Sequence, residues 1–562
     1  MTSLYKLLFL ILNRKQKIIF FFISVMIFFS FLLETLGIGT ILPIAKLIIS
    51  EQSSTGISFI DNYLIKYSTQ KIFVIFLIIF FGFFLIKNLI VSIILFFQIK
   101  IIYQIKKILS ETLFEKFLFE DYKYIIDNSS SYFLNKLVQN TNDFVNSIKF
   151  IINFFSDVIF IIILTSLLFY LNPLFTTIII LLVYIPSQMI VFYRKKKQRK
   201  LGLIKDSHQE SNILNIQETL DSIREIKLLK IEKYFLNIYK LNTHAICKSE
   251  AKQFFFAALP KFFIEIVAIS ILVITLIILS IYNFVSFKEI IPKLAVFAVA
   301  SFRIIPCLSR LLESQQMVNF FKKSTSNIYN ELKNHKYKAN INIKKNISFP
   351  KFMTFKNVNF EYENKKIILK NINFKLRLEG LIGIYGKTGV GKTTMINLMT
   401  GFLRPKSGEI LINKSNLIND ENVFFYWQSI IGYVPQAINI LNNSLIENVA
   451  IGQNKLEYDT KRFQKVIDIC QIENSLREKE KLFTGERGAK ISGGQKQKIA
   501  IARALYFNRK IIFFDESTNA MDKITQKQVI QNIITSKLVK CLIFISHDKT
   551  IIKNCKQKIF LN

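Results

Sequence analysis

The run Gly386-Lys387-Thr388-Gly389-Val390-Gly391-Lys392-Thr393 fits GxxxxGK[ST], and Thr394 opens the helix expected to follow it. In that pattern glycines let backbone N–H groups wrap phosphates, Lys392 neutralises the β/γ charge, and the Thr393 hydroxyl reaches Mg²⁺. Downstream, the apolar strand Ile511–Phe514 ends in adjacent carboxylates, Asp515 and Glu516. Asp515 is suited to hold Mg²⁺ through water, and Glu516 to polarise an attacking water as the base. Ahead of them, Ser492-Gly493-Gly494-Gln495 opens a helical run that reaches Phe507. Ser492 can cap this helix, and the glycines bare N–H groups at its positive end, which makes a second anion grip. The chemistry these residues describe is binding of ATP with Mg²⁺ and hydrolysis of its terminal phosphate.

Four further residues complete the candidate site. Tyr362 lies upstream of the P-loop and either stacks on adenine or belongs to a strand core. Gln436 follows the strand in Gly432-Tyr433-Val434-Pro435 and is placed to touch Mg²⁺ and the attacking water. Asp522 follows the carboxylate pair in Asn519-Ala520-Met521-Asp522. His547 sits beyond the strand Cys541–Ile545, where a histidine can hold a γ-phosphate, although a lone histidine is more often structural.

The elements that must position these groups alternate as strands and helices from Phe352 onward, with the P-loop between the strand Leu381–Tyr385 and the helix Thr394–Thr400. The first 330 residues differ in kind, with several apolar runs of span length. Six spans are expected, over about Ile18–Ile48, from Ile72 to past Gln98, Phe150–Leu171, Leu174–Tyr193, Phe262–Tyr282 and Ile290–Leu312. The first should bend near Gly37, Gly39 and Pro43, and the second should continue as helix to about Phe119. An interfacial helix is expected at Leu4–Leu12, not a cleavable signal, because its basic residues follow the apolar run. Within the outer loop, residues 57–67 have helical apolar spacing and lie on the membrane or pack on the span ends. The expected division is 1–333 transmembrane, 334–351 linker and 352–562 nucleotide-binding.

Net charge is +36, and 51% of the 562 residues are hydrophobic. The lysines cluster at span ends, as in Arg194-Lys195-Lys196-Lys197, so the charge reads as a cytoplasmic bias with both termini inside, not as nucleic-acid binding. Five scattered cysteines without CxxC spacing indicate neither zinc nor a disulfide framework.

Residues 352–562 resemble the nucleotide-binding domain of ATP-binding-cassette (ABC) proteins, whose Walker A, Q-loop, signature, Walker B, D-loop and H-loop motifs occur here in order. Gly485-Glu486-Arg487-Gly488 is similar to the motif typical of exporters. Departures are mild: Ile491 stands where leucine is usual, Lys496 and Lys498 replace arginines, and no catalytic group is lost. The resemblance implies that the two phosphate grips face different nucleotides. One nucleotide domain per chain then implies a homodimer. Six spans ahead of one cassette resemble the type IV exporter architecture: a membrane α-helical bundle fused to a cytoplasmic α/β P-loop ATPase domain. Coupling helices are implied near Asp121–Ser130 and Leu220–Lys227.

Cations within the apolar runs bear on cargo. Lys87, Lys261, Arg303 and Arg310 would each cost ~2.5–3.5 kcal/mol if they faced lipid near the bilayer centre. They therefore either line a wet cavity as a basic belt for a phosphate or pyrophosphate, or form ion pairs, with Glu34 and Glu265 as acidic candidates. Segments 32–44 and 302–311 resemble the PglK-type flippases for lipid-linked oligosaccharides. This implies an undecaprenyl-pyrophosphate oligosaccharide turned outward across a bacterial inner membrane for protein glycosylation, with those four cations at the pyrophosphate. The alternatives are export of lipid A, another amphiphile or a peptide, and an ATP-gated channel or regulator. A peptide exporter that trims leaders is expected to carry a cysteine-protease region ahead of its spans, and no such pattern is read here.

Overall fold

The structure is a computed structural model. It describes residues 14–41, 44, 69–171, 173–282, 287–333, 348–362, 367–387, 389–473, 476, 491–516, 520–546 and 552–561. The expected helices at 4–12 and 57–67, most of the linker, Thr388, the 485–488 segment and His547 lie outside those residues. The chain divides into two compact units, Met1–Glu120 with Ile125–Tyr337, and Asp121–Tyr124 with Lys338–Asn562.

Six long helices make the first unit among the described residues: α1 (Arg14–Gly39), α2 (Thr69–Phe119), α3 (Thr141–Leu171), α4 (Pro173–Asp221), α5 (Glu232–Tyr282) and α6 (Phe287–Phe320). Each overlaps one of the expected apolar runs; for the first, α1 covers Arg14–Gly39 and residues 45–48 lie outside the described residues. Pro173 opens α4 at the first helical position, where its missing N–H costs nothing. Helix α2 passes from apolar to basic sequence unbroken, as its pattern requires, because no proline interrupts 51 residues. Its most apolar window has a mean hydropathy of 2.7, yet only 11% of it is buried, so that surface is shaped for lipid. By length and composition Gln70–Phe119 and Ser130–Tyr170 are the described helices able to cross a membrane. Short helices at Tyr122–Asp127 and Ile223–Leu229 occupy the two segments where coupling helices were implied.

The polar ends of the long helices are tied by buried ion pairs. Lys205 on α4 donates to Asp143 on α3 at 2.9 Å, and Ser324 donates to the same carboxylate. Glu331 accepts from Lys116 at 2.6 Å. Burial alone would push the Glu331 carboxyl up, but the bonds from Lys116 and Tyr132 hold it below its ordinary value. Helices α4 and α6 approach so closely that a Cβ on Gly202 would stand 1.9 Å from the Phe320 carbonyl oxygen.

The second unit has two sheets. Strands β1 (Phe352–Glu361), β2 (Ile367–Arg377), β4 (Ser407–Ile412) and β5 (Ser415–Asn416) form an antiparallel sheet in the order β2-β1-β4-β5. Strands β3 (Gly380–Gly386), β6 (Ile431–Val434), β7 (Ile511–Asp515), β8 (Cys541–Ile545) and β9 (Gln557–Leu561) form a parallel sheet in the order β6-β7-β8-β3-β9. Strands β7 and β8 are buried at every residue, which accounts for the apolar runs Ile511–Phe514 and Cys541–Ile545. Trp427 is wholly buried between the sheets and donates to the Met399 carbonyl at 2.9 Å. Cys470, Cys541 and Cys555 are buried free thiols, and burial pushes Cys541 up to about 12.

Candidate functional site

Parallel sheets present ligand sites at the carboxyl ends of their strands, and here three such ends converge. Strand β3 runs into the P-loop, and helix α7 (Lys392–Met399) begins directly after it. Gly389 and Gly391 adopt φ of 83° and 94°, the left-handed region that the tight loop needs. At Gly386 a Cβ would lie 2.4 Å from the Leu561 carbonyl oxygen, so β9 enforces that glycine. Lys392 Nζ donates to the carbonyls of Gly386 and Lys387, each at 3.1 Å, which keeps the ammonium inside the curve of its own loop. Thr393 is exposed, and Thr394 lies 3.4 Å from the Tyr362 hydroxyl. Tyr362 also packs edge-on against Phe360 and on the strand core, as the core reading of this residue requires.

Asp515 is the last residue of β7, not the first beyond it, and pairs with Ile545 of β8. Burial raises its carboxyl above the ordinary value; Glu516 adds to this, and the hydrogen bond from Tyr433 at 2.9 Å opposes it. Tyr433 was not singled out from sequence, and its place on β6 beside β7 is what brings it there. Glu516 has a left-handed φ of 49°, fixed by its N–H bond to the Ile545 carbonyl at 3.1 Å. That conformation turns the side chain toward Gln436, whose Nε2 donates to Glu516 Oε2 at 3.3 Å. Lys392, the buried Asp515, Glu516 and Gln436 are thus gathered at one end of one sheet.

At the second candidate grip the expected Ser492 cap is present. Helix α8 (Gly493–Tyr506) starts with a reciprocal capping box between Ser492 and Gln495, at 3.1 and 3.2 Å. Gln495 Nε2 reaches Glu473 at 3.1 Å, a partner the sequence did not suggest. A Cβ on Gly493 or Gly494 would stand 3.1 Å from Ala520, so the small residues also admit the 520–522 turn. Asp522 caps α9 (Lys523–Thr535) by accepting from the Thr525 N–H at 2.8 Å, and that bond holds its carboxyl below the ordinary value.

In the first unit, Glu34 on α1 is 5% exposed and takes both Lys87 of α2, at 3.1 Å, and Arg303 of α6, at 3.3 Å. Both cations also stand over the Phe84 ring, at 5.5 and 5.1 Å. Phe84 borders an open cavity of about 570 Å³ that Phe80, Leu85, Asn88 and Ser92 also line. Arg310 donates to Asp157 of α3 at 2.7 Å and to the Cys307 sulfur at 3.0 Å. Asp157 was missed in the sequence, though a lone carboxylate in an apolar run was the signal to follow. Lys261 pairs only loosely with Glu265, at 4.0 Å with both side chains well exposed. Among the described residues Glu34 therefore serves two cations, Lys87 and Arg303, and Asp157 serves Arg310.

The profile of the ABC transporter transmembrane region matches residues 18–304, and that of the ABC transporter matches residues 369–519. The chain belongs to the ABC transporters. It is a membrane protein with an ATP-binding domain. A solved structure of a bacterial Atm1-family ABC exporter with ATP bound superimposes with a TM-score of 0.81 over 98% of this chain and 94% of that one. At 18% identity the match shows the fold, which is that of a type IV ABC exporter. Among curated proteins, a Rickettsia typhi protein named for export ATP-binding/permease function is 36% identical over 34% of this chain and 33% of its own length. The leukotoxin translocation ATP-binding protein LktB of Mannheimia haemolytica is 26% identical over 78% of this chain. The chain spans a third of the first relative's length and 63% of the second's.

Proposed function

We propose that this ABC transporter is an ATP-driven exporter that works as a homodimer and moves a lipid-linked anion, a polyprenyl-pyrophosphate oligosaccharide, from the inner to the outer leaflet of a bacterial inner membrane. Each ATP is held by the P-loop of one copy and the Ser492–Gln495 grip of the other. Lys392 neutralises the terminal phosphates, and Tyr362 lies against the base. Glu516 takes the proton of the attacking water, with Gln436 fixing the orientation of both. His547 holds the γ-phosphate, and Asp522 lies beside the shared nucleotide. The donor set Thr393, Gln436 and Asp515 is all oxygen, which fits Mg²⁺, and the ion when bound would neutralise charge on the β- and γ-phosphates.

The observation that carries the cargo assignment is the convergence of Lys87 and Arg303 on one carboxylate above Phe84, where an apolar cavity begins. A charged head competing for those cations has a place for its tail along the same helix. Arg310 and Lys261 extend the positive surface. A second reading, polypeptide cargo, draws on the name of the LktB relative. ATPase stimulation in liposomes decides between them. Polyprenyl-pyrophosphate glycans should accelerate turnover several-fold, with lipid A and unfolded polypeptides ineffective. Stimulation by polypeptide alone would replace the lipid assignment.

A further inference from the structure

Where the apolar run of α4 gives way to Arg194-Lys195-Lys196-Lys197, the structure contains a small pocket of about 90 Å³. Arg194, Lys197, Gln198, Leu201 and Phe256 line it. That volume is enough to admit a phosphate group. The guanidinium of Arg194 lies 4.6 Å from the centre of the Phe256 ring, and the Lys197 ammonium lies 5.0 Å from it. Arg194 also donates to the Phe256 carbonyl, at 3.4 Å. Two like charges, three residues apart on one helix, share one aromatic face, and repulsion between them opposes that arrangement. Among the described residues no carboxylate answers either one, in contrast to Lys87 and Arg303, which share Glu34, and to Arg310, which has Asp157.

A second observation points the same way. Gln198 is buried and donates to Gln316, which leaves Gln198 Oε1, Gln316 Nε2 and the nearby Gln253 Oε1 unpartnered among the described residues. Whichever way the paired amides are turned, one carbonyl oxygen and one NH₂ remain unmatched. Orphaned amides behind two uncompensated cations are out of place under an acyl chain and in place under a hydrated anion.

We propose that this pocket binds a phosphate-bearing anion at the membrane boundary, with Arg194 and Lys197 as its cationic contacts and Phe256 as the platform that aligns them. None of the four cargo cations lines this pocket, and the proposal does not depend on what the cargo is. A lipid headgroup and a soluble phosphate ester share this chemistry, and the experiment separates them. The full-length protein is placed in phosphatidylcholine nanodiscs doped with phosphatidylglycerol, and the anionic lipid retained per protomer is counted by native mass spectrometry. The wild type should retain it. Arg194→Gln with Lys197→Gln should retain about tenfold less, and Lys195→Gln with Lys196→Gln should match the wild type. Arg194→Lys with Lys197→Arg keeps both charges and should restore retention, which excludes loss of fold as the cause. In parallel, binding of glycerol 3-phosphate is measured in detergent. Binding that Arg194→Gln with Lys197→Gln abolishes assigns the pocket to a soluble phosphate ester, whereas retention of lipid alone assigns it to the headgroup. Equal retention by the wild type and the Arg194/Lys197 variant, equal loss in both glutamine pairs, or no binding of either ligand would overturn the proposal.

Discussion

In the nucleotide unit Lys392 is held by two backbone carbonyls of its own loop, and Glu516 is set by a backbone bond to the neighbouring strand. In the membrane unit Lys87 and Arg303 are held by one carboxylate on a third helix, and Arg310 by a carboxylate on a fourth. The first arrangement is rigid because strand register fixes it. The second rests on side chains that a stronger anion can draw away, since each ion pair is a balance between Coulomb gain and desolvation. A site that must hold the same geometry at every turnover suits the first. One that must release a large charged cargo suits the second.

Substitutions can break or sharpen this contrast. The largest effect is expected from Glu516→Gln, which keeps the side-chain shape and removes the proposed base. Phosphate release should fall by at least about 10²-fold while ATP stays bound. Next, Arg303→Ala with Arg310→Ala should abolish flipping of a fluorescent polyprenyl-pyrophosphate analogue in liposomes, and unchanged flipping would remove the basic-belt idea. Glu34→Ala strands two cations at once. Its thermal unfolding in detergent should show a loss on the order of 2 kcal/mol, between the values for buried and exposed pairs, whereas Lys261→Ala should stay within about 0.5 kcal/mol. The smallest effect is a shift in pH. Asp515 is already raised by burial, and Tyr433 stabilises its charged form. Tyr433→Phe should therefore raise the carboxyl further and move the acid limb of the ATPase profile to higher pH by a fraction of a unit. A shift to lower pH would mean that Tyr433 does not act on the charged form.

The same contrast explains what could be read in advance. The P-loop, the Ser492 cap and the Asp515–Glu516 pair are local patterns, because a few consecutive residues determine a turn or a strand end. Long helices were legible from their apolar runs, and so was the run of α2 into basic sequence. Partners across the chain were not. Asp157 meets Arg310 over 153 positions, and Tyr433 meets Asp515 over 82, and neither spacing leaves a periodic trace. Glu34 was visible as an acidic candidate, but its double role depends on which faces of α1, α2 and α6 meet. The end of β7 was misplaced by one residue because Asp515 pairs in the sheet despite its charge. Asp522 stands in the expected motif, while its carboxylate's work as a helix cap emerged only from the fold.

Gly202 carries a consequence for movement. Its lack of a side chain brings the backbone of α4 against the Phe320 carbonyl, and Ser249 of α5 reaches the adjacent Leu201 carbonyl at 2.7 Å. A backbone approach that leaves no room for a Cβ, beside a side-chain bond to the next carbonyl, leaves little clearance for one helix to slide along another. Helices α4, α5 and α6 should therefore travel as a single lever, with the bending needed for any alternation of access left to the segments on either side of that clamp.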